Sequence, residues 1–510
     1  MAGEPVKRRA SVLTRAAFGL DAHPVHVECH LAGGLPGTTV VGLAEGAVKE
    51  ARDRVKSAIR NSGFHYPTSH ITLNLAPSHL TKSGTAFDLP IAIAILAASE
   101  QIPTDALADT EFVGELSLFG DLRETSNLLA SAIACDSANH RLFLPLANDT
   151  EIALVGSDKS WPATSLYEVA QMLCGRREQP PMVKAIAPDA ATTTGRFNEI
   201  IGQYQAKRAL TIAAAGGHHM LMVGPPGTGK TMLAECLIDL LPDLDKPDAL
   251  SVASIYSAFG MRRSNVMRPP LRRPHHSASN ASISGGGHTP TPGEVSLAHR
   301  GVLFLDELPH FKPSTLDLLR EPIETGEIAI VRARYRTVLP SRFQLIAAMN
   351  PCPAGRSCKE QTCRCTSSQV QRYQSRVSGP LLDRIDLHVP VPELDEALMQ
   401  HHQNEVESDQ GELQRTRTNV SLAQRRQRQQ QGCLNANLSS EALARRINEA
   451  DFAPTFLADV CKKLELSMRS YHKVWRVALT IADLEHAASL PAQGSQLTGG
   501  ATAVSEQHFI

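Results

Sequence analysis

One segment constrains this chain more than any other: Gly224-Pro225-Pro226-Gly227-Thr228-Gly229-Lys230-Thr231. An apolar run, Met220–Val223, precedes it, and an apolar-periodic run from Met232 to Leu241 follows, so the segment predicts a strand, a tight turn and a helix. The glycines let backbone N–H groups turn inward around phosphate oxygens without a Cβ in the way, and the helix adds its positive end. Lys230 is then placed to reach the β- and γ-phosphates of ATP, and Thr231 to ligate Mg²⁺ through its hydroxyl. Short buried strands alternating with helices around this segment predict an α/β fold with a parallel sheet covered on both faces.

A second segment supports the first. Val302–Leu305 is an apolar run that ends in Asp306 and Glu307. Downstream of a P-loop, Asp306 is expected to hold Mg²⁺ and Glu307 to orient or deprotonate an attacking water. Alone, such a strand end is common; in combination the two segments predict hydrolysis as well as binding.

At 510 residues the chain exceeds one ordinary hydrophobic core. It is 42% hydrophobic and 20% charged with a net charge of −1, a globular balance that creates no general attraction to nucleic acid or membrane. The longest apolar run, Leu89 to Ala98, contains Pro90 and is far below the about 20 residues of a bilayer span. Arg15 interrupts the stretch after Lys7, Arg8 and Arg9, which argues against a secretory signal, and ten cysteines are too sparse for a disulfide scaffold. A soluble, cytoplasmic protein is expected.

The pattern predicts an α/β domain over 1–178, with strands His23–Leu31, Ile71–Ala76 and Glu111–Leu118 and helices Glu45–Asn61 and Leu89–Ser99. A Pro/Ala/Thr-rich linker over 179–195 leads to an ATPase core over 196–395, with a further strand at Gln344–Ala348. A Gln/Arg/Glu-rich stretch over 396–434 is expected to be a linker or solvated helix. Helical periodicity (Leu443, Ile447, Phe456, Leu457, Val460, Leu464) predicts a helical lid over 435–490, before a disordered tail over 491–510.

Two weaker patterns stand beside these. Cys352, Cys358, Cys363 and Cys365 form a cluster that can hold Zn²⁺ or remain ordinary reduced thiols, since no C-x2-C knuckle is present. Arg262, Arg263, Arg268, Arg272 and Arg273 lie in one stretch without an acidic residue, and Arg332, Arg334 and Arg336 in another. Each set can grip a phosphate backbone in a ring's channel or form ion pairs between subunits.

With their surroundings, these segments resemble the YifB/ComM family of magnesium-chelatase-like AAA+ ATPases. The resemblance is carried by Ile201–Leu210, Arg273–His276, Gly285–Gly287, Pro292–His299 and Ser378–Leu387, and spans about Val12 to Leu484. It implies an AAA+ P-loop core, a C-terminal helical lid and an N-terminal Lon-protease-like (S5-like) α/β domain. It implies that Asn350 is sensor 1, Arg384 the arginine finger given to a neighbouring subunit, and Arg469 sensor 2. It implies a homo-oligomeric ring, a hexamer, and action on single-stranded or branched DNA as a branch-migration helicase in natural transformation. A protein remodeller and a magnesium-chelatase subunit are the alternatives. The serine and lysine of Lon-type proteolysis align with Ala86 and Leu129, with Thr85 and Lys82 nearby, so a catalytically dead domain is expected.

Overall fold

The computed structural model describes residues 8–42, 46–78, 80, 85–178, 196–200, 202–286, 291–332, 335–355, 363–393, 411–448, 463 and 467–489, without the side chains of 18, 46–50, 196, 331–332 and 335–336. The expected linker over 179–195, the tail over 491–510, and Phe456, Leu457, Val460 and Leu464 lie outside them. The chain divides into two compact units, 1–189 with 246–266, and 190–245 with 267–510.

The first unit is built on a seven-stranded mixed sheet. Its order is Gly37–Val41, His70–Ala76, Asp21–Ala32, Arg9–Phe18, Thr110–Phe112, Arg141–Pro145, Ser160–Ala163. Strand Asp21–Ala32 alternates as half-buried strands do, with Val25, Val27, Cys29 and Leu31 inside and His26, Glu28 and His30 outside. The helix Asp88–Ala98 is buried throughout and apolar on every side beyond its first residue, Asp88, which pairs with Arg54 Nε at 3.0 Å. Between the adjacent strands Arg9–Phe18 and Thr110–Phe112, Arg15 Nε and Glu111 Oε2 form an ion pair at 2.7 Å, with side chains 8% and 1% exposed. Removing one partner of such a pair costs about 3–5 kcal/mol, because the other charge stays buried.

The expected single strand Glu111–Leu118 is instead two, Thr110–Phe112 and Glu115–Leu116. The ladder breaks at Gly114, whose N–H donates to Ala86 O and whose carbonyl accepts from Leu89 N, at 3.0 Å each. Residues 246–266, which the sequence pattern assigns to the ATPase core, pack in this first unit. Ala253 of the helix Lys246–Ala258 shares a buried cluster with Val113, Leu128 and Leu129, and Lys246 Nζ donates to Val155 O at 2.8 Å.

The second unit holds an all-parallel five-stranded sheet, ordered Leu271–Arg272, Val302–Leu305, Gln344–Met349, Met220–Val223, Leu387–Pro390. Val302–Leu305 and Gln344–Met349 are buried at every position, which explains why they are apolar apart from Gln344, whose Nε2 donates to Ala213 O at 2.9 Å and His218 O at 2.8 Å. The Gln/Arg-rich stretch forms a 20-residue helix, Glu412–Gln431, that is docked rather than solvated. Gln424 Nε2 donates to Ala214 O at 2.7 Å, and Arg426 Nε pairs with Asp483 Oδ1 at 3.3 Å, with both side chains of that pair buried. The helix Met468–Ser489 buries Trp475 against Leu438 and Leu443. Among the described residues, no helix is long and apolar enough to cross a membrane.

Candidate nucleotide site

Three adjacent parallel strands end together, and each delivers one part of the expected site. Val223 pairs with Met349 and Leu305 with Ala347, so Gly224, Asp306 and Asn350 emerge side by side from the carboxyl edge of the sheet. Open parallel sheets bind ligands at that edge.

The glycine turn is shaped by two constraints. At Gly224 a Cβ would stand 2.1 Å from Val391 O, so the close approach of the neighbouring chain admits only glycine. Gly229 caps the helix Lys230–Leu240 at φ 83°, in the left-handed region. Lys230 Nζ folds back onto Gly224 O at 2.9 Å and Pro225 O at 2.6 Å. Burial holds its pKa below the ordinary lysine value, while the nearby Asp306 charge opposes that shift. Thr228 Oγ1 donates to Pro225 O at 3.0 Å, which closes the turn.

Thr231 Oγ1 donates to Asp306 Oδ2 at 2.8 Å. A hydroxyl and a carboxylate at this separation form a donor set that fits Mg²⁺, and the turn of amides and Lys230 beside them fits a phosphate chain. Asp306 Oδ1 accepts from the Glu307 amide at 2.9 Å, and Glu307 itself sits at φ 53°. A non-glycine residue in that region stores backbone strain of about 1–3 kcal/mol, the kind found at functional sites.

The sequence alone assigns no place beside this pair to its two neighbours, His276 and Arg273. His276 Nδ1 lies 3.2 Å from Glu307 Oε2. Arg273 lies across the strand Val302–Leu305, with its guanidinium 5.5 Å from the Phe304 ring centroid, Nη2 3.6 Å from Asp306 Oδ2 and Nη1 3.2 Å from Glu235 Oε1. Both follow Leu271–Arg272, the strand paired with Val302–Leu305. The segment Arg273–His276 is one of those that carry the family resemblance, and its place after an edge strand is the signal that puts it here.

Asn350 follows its strand directly, and its backbone is hydrogen-bonded by Tyr373. Arg384 and Arg469 are brought together elsewhere in the unit. Arg384 Nη2 reaches Glu324 Oε1 at 2.5 Å, Arg469 Nη2 reaches the same oxygen at 3.0 Å, and Arg384 Nη1 donates to Pro380 O at 2.6 Å. The Arg384 guanidinium holds the Glu324 carboxyl below the usual carboxylate range, and Arg469 adds to this.

The arginine stretch after residue 260 looks different in the fold. Arg262 pairs with Glu124, Arg263 lies over the Tyr256 ring at 5.4 Å, Arg268 pairs with Asp239 at 2.5 Å and Arg272 with Glu294 at 2.6 Å. With Arg273 at Glu235, all five are engaged within the chain, so neither phosphate-gripping nor pairing between subunits is needed to account for them. Arg334 lies outside the described residues, as do the side chains of Arg332 and Arg336. Their backbone belongs to the hairpin of Glu327–Arg332 and Tyr335–Pro340.

Cys352, Cys363 and Cys365 come together, with all three sulfurs within 4.8 Å of one another, whereas Cys358 lies outside the described residues. In the first unit, Leu129 is fully buried and Ala86 packs against its cluster. The Thr85 hydroxyl donates to the Glu115 carboxylate, and Lys82 lies outside the described residues.

Comparison with known proteins agrees with this geometry. Residues 196–399 match the family described as magnesium chelatase, subunit ChlI; residues 27–148 match subunit ChlI of Mg-chelatase; and residues 412–494 match the C-terminal part of subunit ChlI. The chain is 44% identical over 483 residues to the competence protein ComM of Haemophilus influenzae, covering 93% of this chain and 94% of that one. It is 44% identical over 491 residues to the YifB protein of Salmonella typhimurium, covering 96% of each. A more distant likeness, 25% over 181 residues, is to Lon protease 2 of Bacillus subtilis, covering 31% of this chain and 33% of that one. The chain therefore belongs to the YifB/ComM family of magnesium-chelatase-like AAA+ proteins.

Proposed function

We propose that this chain is an ATP-hydrolysing motor that works as a homo-oligomeric ring, a hexamer, and that DNA is the polymer it moves. The observation that carries the ATPase reading is the 2.8 Å contact of Thr231 with Asp306 at the carboxyl edge of the parallel sheet, with Glu307 next in the chain. Thr231 and Asp306 would hold Mg²⁺, which supplies neutralising charge to the phosphates. Lys230 and the turn amides bind the β- and γ-phosphates, so Lys230 exchanges its two carbonyl partners for phosphate oxygens. Glu307 orients the attacking water or takes its proton, and Asn350 holds that water from the neighbouring strand end.

Two guanidinium groups meeting at one carboxylate oxygen form a pair well suited to phosphate oxygens. We assign Arg384 and Arg469 to the γ-phosphate of a neighbouring subunit, with Glu324 as their partner while the chain is unassembled. A site completed in this way needs a ring. The N-terminal unit is taken to be non-proteolytic, because neither Ala86 nor Leu129 can attack a carbonyl or accept a proton.

The DNA reading is supported by similarity to a protein named for competence and by a two-stranded hairpin whose sequence carries Arg332, Arg334 and Arg336. Branched DNA with one labelled strand, incubated with protein and ATP, tests it. Release of the labelled strand, lost in Glu307→Gln and weakened by added salt, is expected. Vigorous ATP turnover with the junction left intact at every salt concentration would refute the DNA part and favour a protein substrate.

A further inference from the structure

Cys352 stands two residues beyond Asn350, buried, at the start of a turn in which Gly355 N donates to Cys352 O at 3.0 Å. Its sulfur lies 3.5 Å from that of Cys363, and the sulfur of Cys365 completes a triangle within 4.8 Å. Four ligands around zinc at about 2.3 Å place thiolate sulfurs about 3.8 Å apart, so this triangle is the size of one face of a tetrahedral site. A disulfide would need two of these sulfurs at about 2.05 Å, and none of the described cysteines is in one. The backbone amide of Ala354 is hydrogen-bonded to the Cys365 sulfur, the kind of outer contact that orients a thiolate ligand.

The turn also touches the nucleotide loop. A Cβ on Gly355, at φ 80°, would stand 3.0 Å from Pro226 Cδ and 3.8 Å from Asn350 Nδ2. From the same turn, Pro351 O accepts from Gln374 Nε2 at 3.1 Å, which ties it to the helix Ser367–Gln374. Whatever fixes the three sulfurs therefore fixes the loop between Asn350 and the P-loop.

We propose that Cys352, Cys363 and Cys365 bind one zinc ion as thiolates, and that the ion acts as a structural clasp behind the nucleotide site. Binding displaces three thiol protons and involves no electron transfer. The ion leaves Asn350 free to face the nucleotide and anchors the turn that carries it. The proposal does not depend on the DNA reading, and its test is independent of ATP turnover.

The experiment is metal analysis of the full chain, purified under reducing conditions, loaded with zinc and desalted. About one zinc per chain is expected, and titration with an organomercurial should release it as about three thiols react. The double substitution Cys363→Ser/Cys365→Ser should lower the content at least tenfold, with a circular-dichroism spectrum to show that the variant folds. Loading wild-type chain with Co²⁺ gives a readout that needs no variant, because thiolate ligation produces a charge-transfer band in the near ultraviolet. Wild-type chain that retains no zinc and shows no such band overturns the proposal, as does equal zinc in wild type and a folded double variant.

Discussion

His276 Nδ1 lies 3.2 Å from Glu307 Oε2, so the carboxylate expected to handle the attacking water is held by a side chain from the neighbouring strand's end. Both groups are partly exposed, and the contact matters for aim more than for stability. His276→Ala should lower kcat for ATP about tenfold with little change in KM, as loss of a positioning contact does. Glu307→Gln should lower kcat at least about a hundredfold. Steady-state kinetics on both variants checks this; an unchanged kcat in His276→Ala would show that the contact has no part in turnover.

Arg384 and Arg469 share Glu324 Oε1, and the role proposed for Arg384 as an arginine finger is testable. Arg384→Ala should reduce hydrolysis by about 10³-fold or more. Mixing it with Glu307→Gln should restore part of the activity, since a mixed ring contains sites with an intact Glu307 facing an intact Arg384. Glu324→Ala should leave that complementation in place, because its carboxylate is only the resting partner. Failure of the mixture to recover activity, with ring formation shown by light scattering, would mean that Arg384 acts within its own chain or not at all.

His299 supplies a pH dependence with a definite sign. Its Nδ1 accepts from the Arg342 backbone N–H at 3.1 Å, so the folded chain needs that nitrogen unprotonated. Burial, reinforced by the Arg300 and Arg342 charges, pushes its pKa down to about 3. The folded value is below the unfolded one of about 6.5, so this stabilisation is present above pH 6.5 and is lost as pH falls toward 3. His299→Asn keeps an acceptor that does not titrate. Urea unfolding at a series of pH values should show a flatter acid limb for the variant than for wild type.

The P-loop glycines should respond differently to alanine. At Gly224 the added Cβ meets a backbone oxygen at 2.1 Å, which can be relieved only by moving the loop away from Val391. At Gly227 the Cβ meets nothing within 4 Å, and only the φ of 80° opposes it. Gly227→Ala should therefore cost about 1–2 kcal/mol of stability and Gly224→Ala more, with loss of ATP binding. Melting temperatures and nucleotide titrations of the two variants distinguish these effects.

The elements that could be read in the sequence are those whose partners are local or whose burial is complete. Met220–Val223 and Val302–Leu305 have the boundaries expected of them, because fully buried parallel strands are short apolar runs bounded by polar turns. The Glu111–Leu118 pattern hid its break, since Gly114 is bonded to Ala86 and Leu89, well away in sequence. Nothing local in Glu412–Gln431 announces that Gln424 and Arg426 are buried, because Ala214 O and Asp483 are what make it possible. The intrachain partners of the arginines after 260 are hidden for the same reason: Glu124, Asp239, Glu235 and Glu294 all lie outside the stretch. In the site, motif spacing points to Thr231 and Asp306, whereas the place of His276 beside Glu307 becomes visible only through the pairing of Leu271–Arg272 with Val302–Leu305; Glu324, on the helix Arg320–Thr325, is identified only by its contacts with Arg384 and Arg469.

The most direct test of the account is steady-state ATP hydrolysis by the full chain with Mg²⁺, beside Glu307→Gln, with nucleotide binding measured on both. Hydrolysis by wild type, and tight ATP binding without turnover in the variant, is the predicted result. Equal turnover by the two chains would contradict it and remove the site at Thr231, Asp306 and Glu307 from the chemistry.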